Sequence, residues 1–472
     1  MANHDIDNFI WGLHYDPHQI LAVAQDGDVS TQPLTTSRKE DHEVVVCKTT
    51  EHKLTKNLSE VAILSQAAAA FPGALLIADE QLQRGTPTPI GLPRGKLRMT
   101  LLIPGNLRHQ PLDVDPTVSG VQLFLNQELE DWNKHTESNE NHQNYGNAEN
   151  TFVNYSTAYS KQQVAASLGF KAEWASGAAS TQLEASSTTE RSVVFCYYKQ
   201  VFYTVKIDTP AAPSDVFDPS VTLADVRNVI SPHAPPAYVD SVDYGRTLLV
   251  RMETSAVDTS VNLKGAFKQA TQGGVTASGD LQAKYDDILK NATFTAVAIG
   301  GSTEAVEPIF SGAVSGDLQG LKEYFNAARY ARNNPGLPIA YVVRFLKDNV
   351  FATIGSTSDY TQLECTRYKN ISIRVVHHGG YVAKFYWSWT DIDAHGNYTA
   401  NGGGESGPVT AGWTTTVWIP GTARDVELRG EADTGIVWNR WQEIGDIRNP
   451  EPNKTYTAVG TTLIGRQFEV SG

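Results

Sequence analysis

The sequence predicts an α+β fold ending in a β-sandwich, and three observations carry that prediction. Runs rich in Val, Ile, Thr, Tyr and Phe, such as Val194 to Val205 and Thr247 to Met252, read as strands. Helical periodicity is confined to a few places. The residues after 370 hold six of the nine tryptophans (Trp387, Trp389, Trp413, Trp418, Trp438, Trp441) with almost no helical periodicity. Taken in chain order, Ser59 is placed to cap a helix running through Ala70, with Val61, Leu64 and an alanine run behind it. Asp317 is placed to cap a second helix through Arg332, with Leu318, Leu321, Phe325 and Ala328 on one face. Tyr381 to Trp389 and Thr414 to Ile419 then read as strands between Gly-rich turns, the pattern of a sandwich. Trp387, Trp389, Trp413 and Trp418 are expected to fill its core.

At 472 residues the chain exceeds one compact core, and two to four domains are expected. No apolar run approaches the length of a membrane-spanning helix. The opening Met1 to Asp7 has neither a basic nor an apolar leader region, so no signal peptide is read: the chain is either a mature form given a new Met or one that never enters the general secretion route. In the second case it stays cytoplasmic in its producer until released or exported by a non-classical route. A net charge of -14 argues against nucleic-acid binding and against polybasic attraction to anionic lipid. Any membrane binding must therefore rest on apolar or stereospecific contacts. Cys47, Cys196 and Cys365 are far apart and odd in number, and are read as free, buried thiols with no metal pattern. No Gly-x-Ser-x-Gly, His-Glu-x-x-His or Walker-type loop occurs, so no enzyme, cofactor or metal site is expected. Asp391 to Gly396 looks faintly like a calcium loop, but Gly402 stands where the bidentate glutamate belongs, which makes it a hairpin turn.

Two middle segments carry a different signal. From Val164 the even positions read Val164, Ala166, Leu168, Phe170, Ala172 and Trp174, alternating with Ala165, Ser167, Gly169, Lys171 and Glu173. That is a period of two over about the length of a bilayer-spanning strand. Yet Ala, Leu, Lys and Glu favour helix, and the stretch from Ser176 to Thr189 is poor in strand formers. Val261, Leu263 and Phe267 alternate likewise with Asn262, Lys264 and Lys268, ahead of Gly273-Gly274. Each segment suits a helix in one state and an amphipathic hairpin in another; alone, each reads as a surface helix or linker.

The stretch Ala432-Asp433-Thr434-Gly435-Ile436-Val437-Trp438-Asn439-Arg440-Trp441-Gln442 sets two tryptophans beside a Thr-Gly turn. Indoles suit the headgroup level, where the ring buries and the N–H stays wet. The stretch resembles the membrane-contact undecapeptide of the cholesterol-dependent cytolysins, which typically reads Glu-Cys-Thr-Gly-Leu-Ala-Trp-Glu-Trp-Trp-Arg. Further blocks are similar to that family in the same order: Asp5-Ile6-Asp7, Phe71 to Asp79, Tyr159-Ser160-Lys161, Tyr198 to Val205, Ala234-Pro235-Pro236, Tyr244 to Thr247, Phe294 to Val297 with Gly300-Gly301, Phe345 to Asn349, Gly380 to Ala383 and Gly460 to Leu463.

The resemblance implies a four-domain, elongated pore-forming toxin whose central twisted antiparallel sheet is flanked by helical clusters and followed by the sandwich. The implied divisions are a core scaffold (1–25, 63–150, 201–246, 322–352), a thin connecting sheet (26–62, 353–369), a convertible domain (151–200, 247–321) and a membrane-binding sandwich (370–472). It implies that segments ~162–189 and ~260–287 refold into transmembrane hairpins of a ring of identical subunits, since four strands from one chain cannot close a barrel. Gly300-Gly301 serves as the strand bend. Thr462 and Leu463 are the implied contacts to cholesterol, and Gly379, Gly380 and Ala411 belong to the other tip loops. Three departures stand out: Asp433 replaces the thiol that named the family, so no reductant should be needed; Arg440 replaces a tryptophan; and Gln442 replaces an arginine. A carboxylate at the interface implies weaker membrane engagement, eased at acid pH. No acidic/lysine pair linking protomers is found, and Tyr155 lies near the acidic position. The alternative is a non-lytic sterol or glycan adhesin, which dye release from cholesterol liposomes discriminates.

Overall fold

The computed structural model describes residues 3–64, 70–105, 111–137, 150–272, 278–299 and 330–472. The chain divides into two compact units. One comprises Met1–Thr31, Glu51–Ala256 and Ser260–Gln362; the other Gln32–Thr50, Val257–Thr259 and Leu363–Gly472.

The first unit is built on two long antiparallel strands, Ser192–Ile207 and Pro236–Thr254, in register from Ser192↔Thr254 to Lys206↔Ser241 with a bulge between Val201 and Tyr203. Asn150–Thr157 pairs outside the first of them (Thr157↔Val194), and Ala292–Ile299 outside the second (Ala292↔Thr254). These four strands belong to a ten-stranded sheet. Ser192 to Phe202 is buried throughout, because helices cover both faces. Val193, Phe195 and Tyr197 pack with the first of the two alternating segments (~162–189), while Val194, Cys196 and Tyr198 pack with the second (~260–287).

Both segments are helical. The first runs as Lys161–Leu168, a short 3-10 turn at Ala172–Trp174, and Gly177–Gln182. The Ser160 hydroxyl accepts the Gln163 N–H at 3.2 Å, and Gly169, at φ 99°, ends the helix in the left-handed conformation. The second runs as Ser260–Gln272 and Gly279–Lys290, burying Leu263, Ala266, Phe267, Tyr285 and Ile288 against the sheet. A Cβ on Gly265 would fall 2.2 Å from the Tyr285 hydroxyl, so glycine permits the approach of these two helices.

No helix starts at Ser59. Val61–Ala62 is a strand paired to Ala340 and Tyr341, and Leu64 bridges Ala175; residues 65–69 lie outside the described residues. The expected helix from Asp317 falls largely outside the described residues, as do Gly300-Gly301 and Gly273-Gly274; at its predicted end, Ala331 bridges Asn334 instead. A helix that the sequence reading passed over, Val118–Glu137, buries Val121, Phe124, Leu125 and Leu129, a helical spacing present in the sequence.

In the second unit, Leu34–Lys39 pairs with the start of the Glu43–Leu58 strand, and two four-stranded sheets form the sandwich. One is ordered Thr414–Ile419, Ile371–His377, Thr455–Val459, Gln467–Ser471; the other Tyr398–Glu405, Ala383–Ile392, Arg424–Asp433, Trp441–Arg448. Ile373, Val375, Phe385, Leu428, Ala432, Tyr456 and Ala458 form the core. Trp387, Trp389 and Trp413 pack against it, with Gly402 and Gly404 lying flat under the indoles of Trp389 and Trp387. Trp418 does not join them. It is 57% exposed near the His42 ring, because Val417 and Ile419 take the inward positions of that strand. Asp393 accepts the N–H groups of His395 and Asn397 in a hairpin turn, as the sequence indicates.

The cysteine reading is corrected in part. Cys47 and Cys365, 318 residues apart in sequence, form a disulfide packed with Val45 and Val257, while Cys196 is a buried free thiol. Spacing hides such a pair, because only the fold brings the two strands together.

Candidate membrane-binding loops

At one end of the sandwich, four loops are tied into a single surface by backbone hydrogen bonds. The segment His377 to Val382 is the hub. Its His377 N–H bonds the Trp413 carbonyl (2.9 Å), and its carbonyl accepts the Gly412 N–H (2.7 Å). The Gly380 N–H bonds the Gly460 carbonyl at 2.9 Å, and the Val382 carbonyl accepts the Asp433 N–H at 2.7 Å. Residues Gly379, Gly380, Ala411, Asp433 and Thr462, spread over more than 80 positions, thus meet at one tip. A Cβ on Gly379 would lie 2.2 Å from the Tyr381 ring, so a glycine is required there. The Tyr381 hydroxyl in turn donates to the Val459 carbonyl at 2.9 Å.

The undecapeptide caps the hairpin of Arg424–Asp433 and Trp441–Arg448, with Ala432 buried at its root opposite Gln442. Gly435, at φ 74°, turns the chain, and the Thr434 hydroxyl donates to the Asn439 carbonyl at 2.6 Å. Turn geometry thereby forces the apolar residues outward: Val437 is 89% and Trp438 90% exposed, with Ile436 beside them. Trp441 is different. It is half-buried, with the Lys384 ammonium 4.3 Å from its ring centroid.

Asp433 and Arg440, two departures in sequence, are one feature in space. The Arg440 Nε donates to Asp433 Oδ2 at 3.1 Å, and Oδ1 accepts the Gly435 N–H at 2.9 Å. The Gly435 N–H, then the Arg440 guanidinium, hold this carboxyl below the usual aspartate range. The unpaired interfacial charge expected from the sequence is therefore a satisfied pair.

The last loop lies between Thr455–Val459 and Gln467–Ser471. Thr461 closes it through its N–H to the Ile464 carbonyl at 2.9 Å, and the Thr462 hydroxyl donates to the Gly380 carbonyl at 3.3 Å. Leu463 and Ile464 project at 87% and 76% exposure. Ile464 was missed in the sequence, although an Ile in a Gly-bounded turn is a readable signal. Five large apolar side chains thus stand on a tip braced by backbone hydrogen bonds. Among the described residues no cluster of metal-binding side chains occurs, and no helix is long and apolar enough to cross a membrane.

The thiol-activated cytolysin family model matches residues 5–368, and the thiol-activated cytolysin beta sandwich domain matches residues 372–466. Tetanolysin of Clostridium tetani is 30% identical over 97% of this chain and 86% of its own length; seeligeriolysin of Listeria seeligeri is 30% identical over 98% and 87%. Among solved structures, listeriolysin O superposes with a TM-score of 0.81 at 27% identity, covering 99% of this chain and 95% of that one. Suilysin from Streptococcus suis gives 0.79 at 32% identity, covering 99% of each. With both its sheet-and-helix part and its sandwich matched, the chain belongs to the thiol-activated cytolysins, the cholesterol-dependent pore-forming toxins.

Proposed function

We propose that the chain binds cholesterol in target membranes through Thr462 and Leu463, is anchored by the undecapeptide, assembles into a ring of identical copies, and opens a β-barrel from segments ~162–189 and ~260–287. The four-domain division given above is part of this reading. The observation that carries it is the placement of the two segments. Each connects a pair of antiparallel neighbours in one sheet: Asn150–Thr157 with Ser192–Ile207, and Pro236–Thr254 with Ala292–Ile299. All four strands end at one level, since Thr157 faces Val194, Ser192 faces Thr254 and Thr254 faces Ala292. Either hairpin can lengthen into the membrane without rethreading the chain. Each segment has residues enough for two spans of about 9–11 residues and a turn. In that state every backbone group pairs within the barrel, and the edges of each chain's strands are closed by its neighbours.

Sterol dependence tests the reading directly. Dye release from phosphatidylcholine liposomes is expected only when cholesterol is included, and release indifferent to cholesterol would overturn it.

The alternation of the second segment gives a sharper test. Val261 is 71% exposed in the soluble fold yet falls in the lipid-facing set with Leu263 and Phe267. Val261→Arg should leave solubility and melting unchanged but slow dye release about tenfold, because a lipid-facing arginine costs up to about 2–4 kcal/mol per copy, less near the interface. Asn262→Arg, on the lumenal set, should release dye at the parent rate. Equal rates for the two would remove the assigned alternation.

The Asp433–Arg440 pair makes a pH prediction opposite to the sequence expectation. Its folded pKa is depressed, so the pair's contribution is present above the ordinary aspartate pKa and is lost as pH falls through the lower folded value. Liposome binding should be flat from pH 5 to 8, with loss only in stronger acid. Asp433→Ala should weaken binding by leaving the Arg440 guanidinium unpaired at the interface. A rise in binding between pH 8 and 5 would count against this.

A further inference from the structure

The loop bearing Thr462 and Leu463 and the undecapeptide are rooted in different sheets, and one side chain joins them. Arg466 immediately precedes Gln467, which closes the sterol-loop hairpin opposite Val459. Its Nη2 donates to Gln442 Oε1 at 2.6 Å. Gln442 sits opposite Ala432, at the root of the undecapeptide hairpin. Arg466 itself is half-buried, and its Nη1 is buried with no acceptor, so the Gln442 bond is the side-chain contact that anchors the guanidinium.

The loop between is built to shift as one piece. Gly460 (φ 101°) and Gly465 (φ 72°) bracket it, and Thr461 locks Ile464 through both its N–H and its hydroxyl. A Cβ on Gly460 would fall 2.2 Å from the Gly465 carbonyl oxygen, so the two bends are packed on each other. Displacement of Leu463 therefore moves Arg466, and a hydrogen bond from a planar guanidinium carries Gln442 with it.

We propose that Arg466 is a positioning residue that transmits occupation of the Thr462–Leu463 loop to the undecapeptide through its bond to Gln442. The inference rests on the reading of Thr462 and Leu463 as the sterol contact. It is tested with the full chain on phosphatidylcholine liposomes with and without cholesterol, reading pelleting, tryptophan emission and dye release per bound molecule. Arg466→Met should bind within about threefold of the parent but shift emission and release dye about tenfold more slowly. The reciprocal pair Gln442→Arg with Arg466→Gln, which restores a guanidinium–amide bond with the roles exchanged, should recover release to within about threefold. Melting temperatures of the soluble chains should match, as a merely structural role would not allow. Parent-like release by Arg466→Met, or no recovery in the reciprocal pair at matched melting, overturns the proposal. Loss of binding by Arg466→Met equal to that of Thr462→Gly with Leu463→Gly also overturns it, by making Arg466 a sterol contact. If that double glycine variant binds like the parent, the sterol reading fails and the coupling with it. If it loses binding while Arg466→Met releases normally, the coupling alone fails.

Discussion

Replacing Thr462 and Leu463 together with glycine is expected to lower binding to cholesterol liposomes by about a hundredfold, with no change in the soluble fold. Leu463 is almost fully exposed, so its removal takes nothing from the core. The Thr462 hydroxyl makes one long bond, 3.3 Å to Gly380, so its loss is cheap in solution. On the membrane the sum differs. Burying a leucine contributes about 1.5–3 kcal/mol, and a hydroxyl hydrogen bond about 0.5–1.5 kcal/mol. Many copies in one ring multiply the loss through avidity. Liposome pelleting alongside thermal melting checks this. Unchanged binding would move sterol recognition to the neighbouring Ile464, Val437 and Trp438.

Reducing the Cys47–Cys365 disulfide is expected to destabilise the protein without activating it. The bond closes a loop of 318 residues and lies in a small apolar cluster with Val45 and Val257, so its loss should cost about 2–5 kcal/mol. That corresponds to a fall of about 4–20 °C in the melting of the sandwich unit. No thiol stands in the undecapeptide, where Asp433 replaces it, so reductant has nothing there to free. Cys196 does not substitute, because burial pushes its thiol up to about 12. Calorimetry and dye release with and without dithiothreitol check both halves. Faster release in reductant would contradict the account.

Much of the strand framework was legible because it is local. Val194 to Val205, Thr247 to Met252 and Thr414 to Ile419 lie within observed strands, since β-branched and aromatic runs suit a pleated, buried surface. No helix starts at Ser59, because Val61 and Ala62 pair with Tyr341 and Ala340 at the edge of the sheet. Trp418 failed as a core residue because strand parity, not hydrophobicity, decides direction. The convertible segments could not be resolved by pattern alone. Their residues suit both periods, and the helical form wins because two covered faces of one sheet bury Leu168, Phe170, Leu263 and Phe267.

By itself the sequence determined the family, the strand-rich class, the sandwich and the tryptophan loop, all of which are carried by short-range residue patterns, while Thr462 and Leu463 were singled out only through the family resemblance. Only the tertiary structure decided what is paired across distance. Asp433 with Arg440, Gln442 with Arg466, Cys47 with Cys365 and Gly380 with Gly460 are contacts in which neither residue signals its partner. Asp433, the charge that looked unpaired in sequence, is satisfied by Arg440 and the Gly435 N–H because a folded chain leaves few such groups without a mate.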